Sequence, residues 1–293
     1  MTEAAHFGDR GLDMGSDAVV PDDWAGDRGE RWLRDVDVME AMLAPIGEAA
    51  LAKAGHVAGE RVLDVGCGGG WTTRRIGAAV GPGGLALGLD ISPALVAEAA
   101  RRAAGLPQVL FEAGDAATVS PAQAPFDRLF SRFGVMFFPD PAAAFAHIAA
   151  LLVPGARVDL AVWASPKWNP WMMEMRRVVS AHVALPSPEP LAPGPFQLAD
   201  PDFHQPMLES AGFRDVERQL LELPLLLGGP GATPAQAAAF ALGAFSAGEA
   251  AAEAGADVLA AATADLEQLY AGHVTADGVA MPASVWLISA AKS

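Results

Sequence analysis

The chain has 293 residues, 52% of them apolar, enough to build a sizeable core in one elaborated domain or two small ones. Its 19 basic and 35 acidic side chains leave a formal charge of −16, which opposes a nucleic-acid partner or an anionic membrane surface. The single cysteine, Cys67, excludes an internal disulfide; zinc-type spacing, a signal peptide and a membrane-length apolar run are all missing, so a cytoplasmic protein without a metal is expected.

Residues 1–21 are rich in Gly, Asp and Ala without apolar periodicity, which predicts a flexible arm. From Trp24 to Ala54 the apolar residues Trp32, Val36, Met39, Leu43 and Ile46 recur at steps of three and four. That pattern predicts a helical cap over 22–58, in one or two pieces, with a break at Pro45. After Gly59, "RVLDVGC" reads as a buried strand, "WTTRRIGAAV" as a helix stopped at "GPGG", and "LALGLDI" as a second buried strand. Ser92 as N-cap and Pro93 at the first helical position start a helix ending by Gly105. "QVLFEAGD", "FDRLFSRF" and "ARVDLAVWA" follow as strands, with a helix in "PDPAAAFAHIAALLVPG". Strands alternating with helices of this size imply a parallel sheet covered on both faces. Residues 164–206 are proline-rich, with one helix near "WMMEMRRVVSAHV"; "FRDVERQLLELPLLL" is a sixth strand, 230–275 holds Ala-rich helices, and "SVWLISAAK" is the closing strand.

The loop after the first strand carries Gly66, Gly68 and Gly70, so bare backbone can approach a ligand beside a helix N-terminus. A dinucleotide fingerprint needs glycine at position 71, where this chain has Trp71, so a pyrophosphate is poorly served. Asp64, just before the loop, repels a diphosphate and attracts an ammonium or sulfonium cation. Asp90 closes the second strand where a carboxylate can accept both ribose hydroxyls, and Asp115 follows the third strand in position for an exocyclic adenine amine. All three acids fall on the carboxyl edge of the sheet.

With these motifs the chain resembles class I S-adenosylmethionine-dependent methyltransferases. Val62 to Gly70 matches that family's glycine motif, Leu87 to Ser92 its ribose motif, Gly114 to Ala116 its adenine motif, and "FDRLFSRFGVMFF" its fourth-strand motif. The stretches "RGERWLRDVDVMEAMLAP", "NPW" and "DGVAMPASVWLISA" extend the likeness, over roughly 22–291, to a bacterial type 11 or quinone-methylase-like subgroup. The resemblance implies an α/β Rossmann-like three-layer sandwich with a seven-stranded, mostly parallel sheet of order 3-2-1-4-5-7-6. The seventh strand would be antiparallel, and one methyltransferase domain would span 22–293. It implies S-adenosylmethionine as cofactor, S-adenosylhomocysteine as product, and cofactor contacts from Asp64, Gly66, Cys67, Gly68, Asp90, Ile91, Gly114, Asp115, Ala116, Ser131 and Phe133.

Methyl transfer is an in-line displacement, so such an enzyme contributes mainly alignment and exclusion of water. Arg132 and His204 are the candidate catalytic residues; Arg132 could instead pair with an acid of the cofactor site, and His204 could be a packed residue. Trp24, Trp32, Arg132, Met136, Trp163, Trp168 and Trp171 are the expected substrate pocket, a hydrophobic site for a small acceptor methylated on O or N ahead of C, the chain being a monomer or homodimer. The rival readings are an NAD-dependent oxidoreductase and a non-catalytic S-adenosylmethionine binder.

Overall fold

The computed structural model describes residues 21–187, 189 and 191–293; apart from Pro21, the arm expected over 1–21 lies outside them. Eight strands form one sheet: β1 (Arg61–Val65), β2 (Leu85–Asp90), β3 (Val109–Ala113), β4 (Phe126–Arg132), β5 (Leu152–Trp163), β6 (Phe213–Leu227), β7 (Val274–Thr275) and β8 (Gly278–Lys292). Their order is β3-β2-β1-β4-β5-β8-β6, with β7 paired only to β8. Strands β1 to β5 pair in parallel, whereas β8 runs antiparallel to both β5 and β6. Once the two-residue β7 is set aside, this is the expected order, with β8 as the antiparallel seventh strand. In β1 and β2 the apolar runs are buried without alternation, because helices cover both faces.

The helices are α1 (Pro21–Ala25), α2 (Asp27–Arg34), α3 (Val36–Ala54), α4 (Trp71–Val80), α5 (Pro93–Arg102), α6 (Pro141–Ala150), α7 (Pro170–Ser180), α8 (Pro201–Ser210), α9 (Pro234–Ala244), α10 (Ser246–Ala254) and α11 (Ala256–Ala271). Ser92 caps α5 as expected, its hydroxyl accepting from the Leu95 amide. The break expected at Pro45 does not occur: α3 continues through it, and the chain breaks earlier, at Gly26 and Asp35. Met42, Leu43 and Ile46 flank Pro45 and are buried in the core, so tertiary burial outweighs the lost ladder bond. Gly55 then ends α3 at φ 59°, its amide bonded to the Leu51 carbonyl.

The closing strand also starts earlier than "SVWLISAAK". Gly and Pro in "DGVAMPA" argue for a turn, yet Pro282 lies opposite Pro224 in β6, in a part of β8 that β5 has not yet joined; pairing with β5 begins at Val285. A strand with a free side tolerates proline.

Between β5 and α7 the "NPW" stretch fixes the floor of the later site. Asn169 is fully buried; its amide donates among the carbonyls of Ala164, Ser165 and Ser284, and its oxygen accepts from the Ser284 amide at 3.0 Å and the Trp171 indole at 3.2 Å. Asn169→Ala leaves those two donors buried without their acceptor. We expect it to destabilise the chain by ~2–4 kcal/mol, measured as a lowered urea midpoint at unchanged slope.

Candidate functional site

The carboxyl ends of β1, β2, β3 and β4 open into one cavity of about 1450 Å³, its solvent-filled mouth included, roofed by α1–α3 and walled on the far side by α7 and the α9–α10 junction.

At the near end lies the glycine loop. Gly66, Gly68 and Gly70 hold left-handed φ values of 69°, 53° and 77°. Gly66 also meets Gly134 backbone to backbone, so neither position has room for a side chain. Asp90 ties the loop to the end of β2: one carboxylate oxygen accepts from the Gly68 amide at 2.8 Å, the other from the Ser92 amide at 2.9 Å. Burial raises the Asp90 pKa, and the two amide bonds work against that rise. Asp115 accepts from the Ala117 amide at 2.8 Å. A carboxylate has about four acceptor sites, so both acids keep capacity for a ligand. Ile91, Gly114 and Ala116 complete this end of the cavity, and Cys67, within the loop, also lines it. Burial pushes the Cys67 thiol up, with Asp90 and Asp64 adding to the rise, so it stays protonated near neutral pH.

Asp64 is placed differently. It does not line the cavity but sits 1% exposed behind the loop, one oxygen accepting the hydroxyls of Thr72 at 2.7 Å and Thr73 at 2.6 Å. Its other oxygen has no hydrogen-bond partner among the described residues. Burial lifts its pKa to about 6, opposed by the two hydroxyls and by Arg132. Arg132 lines the cavity; its guanidinium donates to the Leu43 carbonyl at 3.3 Å and stands 5.2 Å from the Trp71 ring. Burial lowers the Arg132 pKa, and Asp64 and Glu40 offset it. The guanidinium thus links β4 to α3 and lies beside the first residue of α4.

Glu40 is a site residue that sequence reasoning missed. It lies four residues after Val36 on the buried stripe of α3, and an acid on an otherwise apolar stripe was the available signal. One oxygen meets Arg102 at 3.1 Å and Arg74 at 3.8 Å; the other is unpartnered among the described residues and lies against Gly69, where a Cβ would come within 2.5 Å of it. Burial raises its pKa against the pull of Arg74, Arg102 and Arg132.

The far end of the cavity is aromatic. Phe133 takes φ 66°, a conformation rare for a bulky residue, fixed by its amide bonding to the Ala161 carbonyl at 2.9 Å. Its ring stacks on Trp163 with centroids 4.2 Å apart and planes tilted by 15°; Trp171 lies 5.1 Å from Trp163, and Phe245 lies 5.5 Å from Trp171. From the roof, Trp24 packs edge-on against Trp32 at 5.5 Å and Phe137 at 5.1 Å. Arg28 lines the same roof, its guanidinium 5.5 Å from the Trp24 ring, and Met136 lies in the wall after β4.

Besides Asp64, three expected site residues lie outside the cavity. Ser131 is fully buried behind the wall, its hydroxyl donating to the Val65 carbonyl at 2.7 Å. Trp168 is 44% exposed and leans on Trp286 outside the cavity. His204 is buried in α8 with Nδ1 paired to the Leu198 carbonyl at 2.9 Å, and burial lowers its pKa. Among the described residues no His, Cys, Asp and Glu side chains group as a metal site would require, and no helix is long and apolar enough to cross a membrane.

Comparison with known proteins gives relatives over part of the chain and a shared fold. Residues 62–155 match the family described as "Methyltransferase domain". An aklanonic acid methyltransferase of a Streptomyces species is 34% identical over 116 residues, 39% of this chain and 53% of that protein. A trans-aconitate 2-methyltransferase of Methylobacterium nodulans is 40% identical over 105 residues, 36% of this chain and 39% of that one. The chain therefore matches about half or less of the length of these relatives. In structure, a phosphoethanolamine N-methyltransferase 2 of Haemonchus contortus in complex with S-adenosyl-L-methionine superposes with a TM-score of 0.56 at 16% identity, over 94% of this chain and 60% of that one, which shows the shared fold.

Proposed function

We propose that the chain, whose residues 62–155 match the family described as "Methyltransferase domain", transfers a methyl group from S-adenosylmethionine to a small, largely apolar acceptor. One observation supports this best: a bare glycine loop and two carboxylates at strand ends share a single cavity with a cluster of aromatic side chains.

The residues fit the cofactor. Asp90 would accept the ribose hydroxyls and Asp115 the adenine amine. The unpartnered oxygen of Glu40, beside Gly69, would take the ammonium of the methionine tail. When bound, S-adenosylmethionine supplies a methyl group on a positively charged sulfur that a nucleophile can displace. Phe133, Trp163 and Trp171 would hold the acceptor and keep water out, and the cap over 22–58 would close above it with the 164–206 and 230–275 insertions as side walls. The acceptor atom is oxygen or nitrogen.

Calorimetry with S-adenosylmethionine, S-adenosylhomocysteine and NADH tests the reading. Binding of the two adenosyl ligands alone supports it; binding of NADH alone reinstates the oxidoreductase. The same instrument reads Asp64. A cation held over the loop favours the ionised carboxylate, so S-adenosylmethionine binding lowers the Asp64 pKa from its value of about 6 and releases a proton. Affinity should rise with pH up to about 6 and level off above it. Asp64→Asn should flatten that rise, and a rise that persists in the variant assigns it to another group.

A further inference from the structure

We propose that the acceptor is a neutral, planar heteroaromatic base, methylated on a pyridine-type ring nitrogen to give an N-methyl cation held by the aromatic lining of the cavity; this rests on the methyl-transfer reading above. Three features of the cavity carry it.

The first is what the lining can do with protons. Among the described residues the titratable side chains lining the cavity are Arg28, Glu40, Cys67, Asp90, Asp115 and Arg132, and no His, Lys, Tyr, Ser, Thr, Asn or Gln joins them. Asp90 and Asp115 stand at the ends of β2 and β3, Glu40 is ion-paired to Arg102 with its other oxygen against Gly69, and Cys67 lies within the loop, its thiol held protonated by burial. The aromatic end therefore offers no base. A phenol or an alkyl ammonium, with a pKa of ~10, needs one before it can attack. A pyridine-type nitrogen carries no proton at neutral pH and presents a free lone pair.

The second feature is the aromatic lining itself. Trp24 and Trp32 on the roof and Phe133, Trp163, Trp171 and Phe245 on the far wall all line the one cavity. The planes of Trp163 and Trp171 are inclined by 55°, and those of Trp171 and Phe245 by 58°, so the wall is not one flat face. Such rings take a flat molecule by ring-to-ring contact, and they attract a cation removed from water, tryptophan most strongly. The roof already shows that pairing: the Arg28 guanidinium stands 5.5 Å from the Trp24 ring.

The third is charge. An anionic acceptor taken in among these rings would need a counter-charge. Arg28 already has a partner of its own, and the Arg132 guanidinium stands on the glycine-loop side, between the Leu43 carbonyl and the Trp71 ring. A neutral acceptor needs neither. The step then balances without a proton. The ring-nitrogen lone pair forms the new carbon–nitrogen bond, the carbon–sulfur bond breaks with its pair kept by sulfur, and the positive charge passes from sulfonium to nitrogen. One cation enters with the cofactor and one leaves with the product, so the site holds the same charge throughout. In the transition state that charge is shared between sulfur and nitrogen, where fixed aromatic faces stabilise it without rearranging.

The test uses the full chain saturated with S-adenosylhomocysteine, which reproduces the charge of the product complex. By calorimetry, N-methylisoquinolinium should bind about tenfold or more tighter than 2-naphthylmethanol, a neutral molecule of similar shape, and than 2-naphthoate. Trp163→Leu should remove most of that preference, and Phe245→Leu, which alters a half-buried ring, should cut it by about threefold. Turnover with S-adenosylmethionine is read as N-methylation of quinoline and isoquinoline, against methylation of 2-naphthol, 2-naphthoate and N,N-dimethylbenzylamine. The two heteroaromatic bases should exceed the others by about a hundredfold in kcat/KM, at a rate flat from about pH 7 to 9, since their nitrogen is unprotonated throughout. Normal S-adenosylhomocysteine binding without preference for the cation overturns the inference and leaves the methyl-transfer reading standing. A preference unchanged in both variants, faster turnover of the naphthol, the naphthoate or the alkylamine, or failure of both heteroaromatic bases to react does the same. Absence of adenosyl-ligand binding removes both readings.

Discussion

Asp90→Ala is expected to lower S-adenosylhomocysteine affinity by ~10²- to 10⁴-fold, the largest loss for a single side chain at the site. The reason lies in two roles carried by one carboxylate. Its oxygens already accept from the Gly68 and Ser92 amides, at 2.8 and 2.9 Å, so they set both the height of the glycine loop and the entry into α5. The ribose hydroxyls would be further donors to the same atoms. Hydrogen bonds to a charged group are worth ~1.5–3 kcal/mol each, so losing the two ligand bonds alone costs about 3–6 kcal/mol, and each 1.4 kcal/mol is a decade of affinity. Asp90→Asn should lose almost as much, because its amide nitrogen would face a backbone N–H that needs an acceptor. Calorimetry gives the affinities, and thermal unfolding of the ligand-free variants shows whether the loop has come loose. Affinity within threefold of wild type in Asp90→Ala would remove the residue from the cofactor site.

The part of this site that obeys local rules was legible in the sequence. Short apolar strands, a glycine loop and acids at consecutive strand ends are set by neighbours in the chain, and the sheet order followed from the resemblance they carry. What was not legible depends on contacts between distant segments. Pro45 reads locally as a helix break, but buried side chains on both sides of it carry α3 through. Asp64 reads as a ligand-facing acid, yet Thr72 and Thr73, eight and nine residues on, turn it into an anchor at the start of α4. Trp168 and Trp171 are three residues apart in one proline-rich stretch; Asn169 draws Trp171 inward, while Trp168 is left on the surface. Glu40 reaches the loop only because α3 packs across it. In each case a tertiary partner decided the outcome.

Gly134→Ala should be among the most destabilising single-methyl changes in the protein, although nothing in its own backbone conformation demands glycine. Gly134 follows Phe133 at the end of β4, and its φ is not left-handed. The constraint is purely steric: a Cβ there would lie 2.6 Å from the Gly66 Cα and 3.0 Å from the Gly66 nitrogen, with the Val65 carbonyl also in the way. All three obstacles are backbone, so no rotamer change can relieve them, and the Val65 carbonyl is pinned by the Ser131 hydroxyl. Relief requires the end of β4 to part from the glycine loop, which costs at least the ~1–3 kcal/mol of an ordinary overpacked core. Because the part that moves is the loop itself, S-adenosylhomocysteine affinity should fall at least tenfold together with stability. Gly66→Ala adds to the same clash a left-handed φ of 69°, worth a further ~1–2 kcal/mol. Gly83→Ala, where a Cβ meets nothing within 4 Å, should be neutral. Urea unfolding should therefore rank the variants Gly83→Ala, Gly134→Ala, Gly66→Ala in order of increasing damage. A Gly134→Ala protein with wild-type stability and affinity would mean that β4 and the loop are not in backbone contact, and the narrow floor of the cavity would have to be redrawn.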